Sequence, residues 1–318
     1  MMKRRGKGHA LLLLLAVCTT DLGAESACPP VATVPTSAQL QEAAMRARDR
    51  GVLWRFERDG RHGYLYGTLH VGKLEWAMPG RVVGQALRET EIIAMELDPT
   101  DPSVGKVMTA PQSAQDTPAV PPQLWRRLRA LAANACVPWE NLQALPPMMI
   151  GTTLEMLESR WAGLDLGYGN EVVLAGLAKV SGKEVAVLET VATQRAALLG
   201  GSPAEQIARL ERSVLALENG KSRKSTTLIA EAWANGDLGR LERYREWCEC
   251  DTPDERADLE RLAFARNPGL AARIEDLHRT GRRVFAAIGI LHMVGDKGVH
   301  RLLVARGFKV EQVAFDVP

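Results

Sequence analysis

Glu91-Ile-Ile-Ala-Met-Glu-Leu97 is a near-continuous apolar run. Such runs are typical of strands in a parallel sheet that is covered on both faces. Two similar runs, Glu184–Glu189 and Arg283–Ile290, follow later in the chain, and stretches with helical spacing separate the three. Strands that alternate with helices predict an α/β protein with a mainly parallel central sheet flanked by helices.

Further strands are predicted at both ends of the chain. Val52–Arg58 alternates in polarity, Asp59-Gly60 is a turn signal and Gly63–Leu69 returns, which predicts a hairpin. Lys309–Phe315 predicts a terminal strand. Because one sheet needs strands from both ends, we expect a single domain over 37–318, with a large helical insertion between the N- and C-terminal strands.

Most of the chain between these strands is predicted to be helical. Apolar residues recur at helical spacing over Ser37–Asp49, most of 123–161, Glu171–Val180 and 203–281. The last stretch is interrupted at Asn219-Gly220, at Asn235-Gly236-Asp237 and at Asn267-Pro268, where Asn267 is the predicted cap of a new helix. By contrast, 98–122 is rich in proline, and we interpret it as a long loop that could act as a lid.

Composition and charge narrow the class of protein. Of the 318 residues, 46% are hydrophobic and 25% are charged, which excludes wholesale disorder. The formal net charge is only +2, and four of the basic residues lie within the first ten positions. A nearly neutral chain lacks the electrostatic footprint of a nucleic-acid-binding protein, so we expect no nucleic-acid partner.

The N-terminus predicts export. Residues 1–24 combine a basic start, an apolar run over Ala10–Cys18 and small residues near Ala24, as a secretory signal does. We interpret 25–36 as a proline-rich linker and expect a periplasmic or cell-envelope location. Cys18 lies in a lipobox-like setting, but the bulky Val17 before it disfavours a lipid anchor. No later segment is apolar for long enough to cross a bilayer, so we predict no transmembrane span in the mature chain.

Four cysteines follow the predicted signal: Cys28, Cys136, Cys248 and Cys250. An even number in an oxidising compartment predicts disulfides, with three connectivities open. A Cys248–Cys250 bridge would close a tight ring, so we expect Cys28 or Cys136 to form a disulfide with Cys248 or Cys250. A thiolate metal site is the less favoured alternative, because no second pair accompanies the single Cys-x-Cys.

Four predicted strands are each followed by a residue that can bind a metal or move a proton, namely His70, Glu96, Glu189 and His292. Ligands bind at the carboxyl ends of the strands in open parallel sheets, so these side chains are expected to meet. Two imidazoles with carboxylates suit Mn, Fe, Co or Zn, which would acidify a bound water. A remaining carboxylate could then act as a general base.

Plainer interpretations of these residues stay open. A histidine after a strand can be a hydrogen-bonded edge residue, Glu96 can cap a turn, and Glu189 can cap the helix that begins near Val191. Arg266 can be a surface charge or an oxyanion partner. His62 and His278 are expected at the surface, Asp237 as a helix cap, and His300 is a weaker site candidate.

Short motifs in chain order carry a family resemblance. These are Tyr66-Gly-Thr-Leu-His70, Ala94-Met-Glu-Leu-Asp98, Tyr168-Gly-Asn-Glu171, Leu188-Glu-Thr190, Gly236-Asp-Leu238, Arg266-Asn267 and Ala287-Ile-Gly-Ile-Leu-His-Met-Val-Gly295. Over roughly 52–314 the chain resembles the TraB/GumN family, which includes the Tiki proteases and lies near the erythromycin-esterase/ChaN-like fold group. Glu171 is a mild departure, because aspartate is more usual there.

The resemblance implies an α/β fold and an active site built from two Gly-x-x-His motifs and a glutamate. Tiki-like members are metal-dependent proteases. We hypothesise a mechanism in which His70, Glu96 and His292 bind a divalent metal, Glu189 moves a proton and Arg266 steadies an oxyanion. Gly67, Gly289 and Asn267 belong to the same motifs. The predicted function is an exported metal-dependent hydrolase for peptide or protein substrates. A haem- or metal-binding module and a metal-free His/Glu hydrolase are the alternatives.

Overall fold

The computed structural model describes residues 28–248 and 252–315. The predicted signal over 1–24, with Cys18, lies outside these ranges, as does Cys250. The strands are β1 Leu53–Arg58, β2 Arg61–Thr68, β3 Ile92–Met95, β4 Glu184–Val187, β5 Val284–Gly289 and β6 Lys309–Gln312. The α-helices are α1 Ser37–Met45, α2 Arg81–Glu89, α3 Pro102–Thr109, α4 Pro122–Asn134, α5 Pro147–Glu158, α6 Asn170–Ser181, α7 Val191–Leu199, α8 Pro203–Glu218, α9 Lys221–Ala234, α10 Leu238–Glu242, α11 Tyr244–Trp247, α12 Pro253–Leu259, α13 Asn267–Arg279 and α14 Val299–Ala305.

The described strands form one six-stranded sheet in the order β4-β3-β5-β2-β1-β6. The pairs β4/β3, β3/β5 and β5/β2 are parallel, whereas β1 is antiparallel to both β2 and β6. The predicted α/β class is confirmed, and the sheet is mixed because the N-terminal hairpin reverses β1. Helices lie between the strands in sequence, as the alternating pattern predicted.

Burial follows position in the sheet. Every residue of Val284–Ile288 in β5 is at most 1% exposed, because β5 has a neighbouring strand on each side and α13 packs against it. The prediction that Glu184–Glu189 is a buried strand was wrong for β4, in which only Ala186 is buried. β4 pairs with β3 alone, so it forms an edge of the sheet.

The predicted loop over 98–122 contains a helix, so that prediction was wrong. α3 begins where the Asp101 carboxylate accepts the Ser103 N–H at 2.8 Å and Pro102 occupies the first turn. Both are local signals for a helix start. At its other end the Arg195 guanidinium of α7 donates to the carbonyls of Val107, Met108 and Ala110. Arg195 therefore holds this segment against α7.

The helices between the strands have a hydrophobic cluster of their own. Leu128 of α4, Ile150 and Leu154 of α5, and Leu210 and Val214 of α8 are at most 1% exposed and pack together. A larger cluster surrounds the sheet. The predicted helical insertion thus packs around a second core beside that of the sheet.

A disulfide joins Cys28 to Cys136, across a sequence separation of 108. We expected Cys28 or Cys136 to form a disulfide with Cys248 or Cys250. That prediction was wrong, because Cys28 and Cys136 are bonded to each other. The N-terminal segment is also hydrogen-bonded: the Ala32 N–H donates to Asp165 at 3.1 Å. Of the predicted linker over 25–36, the described residues 28–36 have no regular secondary structure, but Cys28 and Ala32 attach them to the rest of the chain.

None of the helices in the described ranges is long and apolar enough to cross a membrane.

Candidate functional site

The carboxyl ends of the four parallel strands lie on the same side of the sheet, across the ends of the strands. In the order β4, β3, β5 and β2, these ends are followed by Glu189, Glu96, His292 and His70. The predicted residues therefore lie along the same edge, because neighbouring parallel strands end on the same side. The chain segments that carry them are held by backbone contacts, such as the Glu189 N–H to the Glu96 carbonyl at 3.3 Å.

An arginine joins the two glutamates. Arg266 Nη2 donates to Glu96 Oε2 at 2.5 Å, Arg266 Nε donates to Glu189 Oε2 at 3.0 Å, and Nη2 also contacts Glu189 Oε1. Gln194 of α7 donates to both carboxylates, at 3.2 and 3.0 Å. The exposed fractions of the Arg266, Glu96 and Glu189 side chains are only 11%, 7% and 6%. Two nearly buried carboxylates thus share one cation.

The two carboxylates differ in acidity. Burial opposes the charged form of Glu96, but His292, His70 and Arg266 outweigh it and lower the pKa of Glu96 to about 2. The Gly289 N–H also donates to Glu96 Oε1 at 2.8 Å. For Glu189, burial outweighs the attraction of Arg266 and raises its pKa. Glu96 is therefore the firmly ionised member of the pair, and Glu189 accepts a proton more readily.

His292 is held by Asn267. Its Nδ1 lies 2.5 Å from Asn267 Oδ1, while Asn267 Nδ2 donates to the carbonyls of His292 and Lys297. The amide oxygen therefore faces the ring, and Nδ1 carries the ring proton. Burial lowers the pKa of His292 to about 4, so the ring is neutral near pH 7. Its Nε2 keeps a lone pair and lies 3.8 Å from Glu96 Oε2.

The prediction that Asn267 caps α13 was wrong. Arg266 occupies the cap position, and Asn267 is the first residue of the helix. The Asn267 side chain is fully buried and points to His292, which is 25 residues away in sequence. Sequence alone suggested a cap because Asn-Pro is a common helix start.

His70 has a different partner. Its Nδ1 lies 3.3 Å from Glu171 Oε1, and the Thr68 hydroxyl donates to the same oxygen at 2.5 Å. Glu171 raises the pKa of His70. The Leu69 N–H donates to the Asn170 side chain at 2.8 Å, which fixes the segment before His70. The His70 side chain remains 59% exposed, so solvent reaches the edge of the site there.

Glu171 is the site residue that sequence reasoning missed. It appeared only as part of the Tyr168–Glu171 motif, with no role. Its position at the start of α6 is readable from the sequence, but its contact with His70 spans 101 positions. Nothing in the local pattern indicates that contact.

The two motif glycines lie against other side chains. A Cβ on Gly289 would lie 3.2 Å from Glu96 Oε1 and 3.5 Å from His292 Cδ2. A Cβ on Gly67 would lie 2.3 Å from Ile290 Cδ1, and the Gly67 carbonyl accepts the Trp233 indole N–H at 2.7 Å. Glycine at these positions lets Glu96 and the segment before His292 pack against the strands.

A π-helical turn over Glu260–Phe264 leads into Arg266. Such turns shift the register of the residues that follow. The Arg266 Nη1 also donates to the Leu262 carbonyl at 2.6 Å, across this turn. The turn and this bond together hold the guanidinium against the two glutamates.

The other histidines of the described ranges lie outside this group of contacts. His62 lies in β2 and is 3.5 Å from Glu89. His278 was expected at the surface, but it is 1% exposed and contacts the Arg58 carbonyl, so that prediction was wrong. His300 stacks on Trp54 at 5.0 Å. Asp237 accepts the Arg240 N–H and caps α10, as predicted.

The chain is similar to a known protein family over most of its length. The model of the TraB/PrgY/gumN family matches residues 52–312, which is most of the chain. The protein belongs to the TraB/PrgY/gumN family. All four strand-end residues, with Asn267, Glu171 and Arg266, lie inside the range that matches the TraB/PrgY/gumN model. No curated protein and no solved structure matches the chain.

The residue types at this TraB/PrgY/gumN site, imidazole and carboxylate, are types that can ligate a divalent metal. His292 and His70 each have Nδ1 held by a neighbouring side chain, so Nε2 is the nitrogen of each ring that could ligate an ion once it is deprotonated. Ligating histidines are commonly oriented by such outer partners. Within 28–248 and 252–315, however, no three His, Cys, Asp or Glu side chains group closely enough to hold an ion.

Proposed function

We propose that this protein is a metal-dependent hydrolase that acts on peptide bonds, with His70, Glu96 and His292 as the metal ligands. The observation that carries this proposal is the pair of histidines whose Nδ1 atoms are fixed by Asn267 and Glu171. Both histidines lie at the edge of the sheet where Glu96 is buried and ionised. If these residues held a divalent ion of manganese, cobalt, zinc or iron, that ion would supply the Lewis acidity that makes water nucleophilic near neutral pH.

The chain's own residues divide the remaining work. Asn267 and Glu171 orient the two imidazoles. Glu189, with its raised pKa, accepts a proton from the attacking water and passes it to the leaving group. Arg266 presents a permanent positive charge beside Glu189, where it stabilises the developing oxyanion. Gln194 links the two carboxylates by donating to both.

The compartment is part of the proposal. The Cys28–Cys136 disulfide is compatible with an oxidising environment outside the cytosol. Together with the predicted signal over 1–24, it supports a periplasmic or envelope location. Substrates would then be exported peptides or proteins.

A metal-free hydrolase is the second candidate, and one observation favours it. Glu96 already accepts hydrogen bonds from Gly289, Gln194 and Arg266, so its oxygens are occupied without an ion. In this mechanism, neutral His292 would act as the base and Arg266 would bind the oxyanion. Activity that survives complete chelation would identify this mechanism.

Thermal unfolding of chelator-stripped protein tests the metal ligands directly. A metal at 100 times its Kd stabilises the folded state by about 2.7 kcal/mol, which corresponds to a shift of several degrees. We expect Mn, Co, Zn or Fe to raise the wild-type midpoint and to leave His292→Ala and His70→Ala unmoved. Peptide hydrolysis should return with the same metal.

His62→Ala is the matched control. His62 lies in β2, the strand that leads to His70, but at its opposite end. This variant should respond to metal as wild type does. If no metal shifts wild type although all variants are folded, the metal-dependent proposal is wrong. A Soret band on addition of haem would then support the haem-binding alternative.

A further inference from the structure

A surface cleft of about 490 Å³ opens in the helical insertion. It is lined by Pro122, Trp125, Arg126, Arg129, Trp139 and Gln143. The first four belong to α4, and the last two belong to the short segment that follows it. None of these residues takes part in the strand-end site, so the cleft is a separate feature of the molecule.

The two tryptophans form the apolar part of the cleft. Their rings meet edge to face, with centroids 5.8 Å apart and planes at 82°. The Arg129 guanidinium lies over the Trp139 ring, 5.3 Å from its centroid. This cation–π contact orients the guanidinium while leaving its N–H groups available.

The cleft carries uncompensated positive charge. Arg126 and Arg129 are both exposed, and within the described part of the chain neither has a carboxylate at salt-bridge distance. Arg127, between them in sequence, differs: it donates to both oxygens of Glu218, at 2.8 and 2.6 Å. The two arginines that line the cleft are therefore the ones left to bind an external anion.

The spacing of the arginines matches an extended acidic peptide. Residues three apart on a helix share a face, with Cβ atoms about 5–6 Å apart. Alternate residues of an extended chain point to the same side and are about 6.6 Å apart. From this match we infer that the α4 cleft binds an extended peptide segment with carboxylates on alternate residues, each paired with Arg126 or Arg129. Guanidinium groups bind carboxylates in a two-pronged geometry that suits this role.

Other carboxylate-bearing ligands fit less well. A ring that stacks on an aromatic side chain needs an open face, and Arg129 already covers one face of Trp139. The choice of a peptide also rests on the proposed function, because a peptidase would gain affinity by holding its substrate outside the reacting site. The binding of carboxylates in the cleft does not depend on that function.

Fluorescence anisotropy on the chelator-stripped protein tests the inference without hydrolysis. The probe is a fluorescein-labelled peptide of alternating Glu and Val, and the matched peptide carries Gln in place of Glu. We expect the Glu peptide to bind, the Gln peptide to bind at least about tenfold more weakly, and added salt to weaken the difference. Arg126→Gln and Arg129→Gln should each reduce affinity for the Glu peptide about tenfold.

Arg127→Gln is the control, since Arg127 is on the same helix but pairs with Glu218. It should bind the Glu peptide as wild type does. Equal binding of the Glu and Gln peptides, or equal loss in Arg127→Gln, would overturn the inference. A uronic-acid oligosaccharide that binds while the Glu peptide does not would also overturn it. Because metal binding is read separately by thermal unfolding, either proposal can fail alone.

Discussion

At the scale of single residues, Arg266 links the two buried carboxylates of the site. From sequence it could equally be a surface charge or an oxyanion partner. In the structure it pairs with Glu96 and Glu189, both less than a tenth exposed. Buried carboxylates are tolerated only when a cation and hydrogen bonds compensate them. Arg266 therefore stabilises the fold as well as the proposed transition state.

Replacing Arg266 with alanine should destabilise the protein strongly. Removal of one partner from a buried ion pair leaves uncompensated charge and costs about 3–5 kcal/mol. Urea denaturation followed by circular dichroism measures the free energy of unfolding. Adding Glu189→Gln to Arg266→Ala should recover part of the loss, because one of the two stranded charges is then removed.

Arg243→Ala is the comparison for this effect. Arg243 is 61% exposed and lies 3.8 Å from Glu246, so its loss should cost less than about 1 kcal/mol. If Arg266→Ala costs no more than Arg243→Ala, the ion pair does not stabilise the fold.

At the scale of elements, the start of α12 shows how a few adjacent residues can fix where a helix begins. Thr252-Pro-Asp-Glu255 is a capping box at the start of α12, with reciprocal bonds between Thr252 and Glu255. Glu255 also pairs with Lys221 of α9 at 2.9 Å, which joins the two helices. Burial opposes its charge, but Lys221 and the Thr252 N–H lower the pKa of Glu255 to about 2.

This shift predicts a pH-dependent contribution to stability. A carboxylate whose pKa is lowered on folding stabilises the native state above its ordinary pKa of 4.5, and that stability is lost as the pH falls toward 2. Glu255→Gln keeps the cap but loses the charge, so it should cost about 1 kcal/mol or less at pH 7. The difference from wild type should shrink as the pH falls below 4.5.

Urea denaturation at a series of pH values measures this difference. Glu211→Gln, on an exposed face of α8, provides the control and should show little cost at any pH. A cost for Glu255→Gln that is the same at neutral and acid pH would contradict the assignment.

At the scale of the whole molecule, the Cys28–Cys136 bridge ties the N-terminal segment to the helical insertion. Cys136 follows α4, whose apolar side packs into the second hydrophobic cluster. The bridge closes a loop with a sequence separation of 108. Cross-links over long loops restrict the unfolded chain most, which raises the free energy of unfolding.

The double variant Cys28→Ser/Cys136→Ser should lower the free energy of unfolding by about 2–4 kcal/mol. Substitution is preferable to a reducing agent because it leaves the other cysteines untouched. Guanidinium titration followed by far-ultraviolet circular dichroism measures the change. Cys136→Ser alone should match the double variant, and an unchanged midpoint in both would show that the bridge does not stabilise the fold.

Much of the fold could be predicted because its signals are local. Apolar runs predicted β3 and β5. The alternation of polar and apolar residues, with the Asp59-Gly60 turn, predicted the hairpin of β1 and β2. Each of these signals acts within a few residues. One topological rule, that ligands bind at the carboxyl ends of parallel strands, predicted that His70, Glu96, Glu189 and His292 lie at the same end of the sheet. The prediction that β4 is buried failed because an apolar run does not reveal how many neighbours a strand has.

The sequence by itself determined the α/β class, the hairpin and the strand-end residues of this protein, because each follows from local chain geometry. Only the tertiary structure decided which side chains hold those residues. Asn267 contacts His292 across 25 positions, Glu171 contacts His70 across 101, and Cys28 reaches Cys136 across 108. These pairings depend on how distant segments pack together, and no local pattern records that packing.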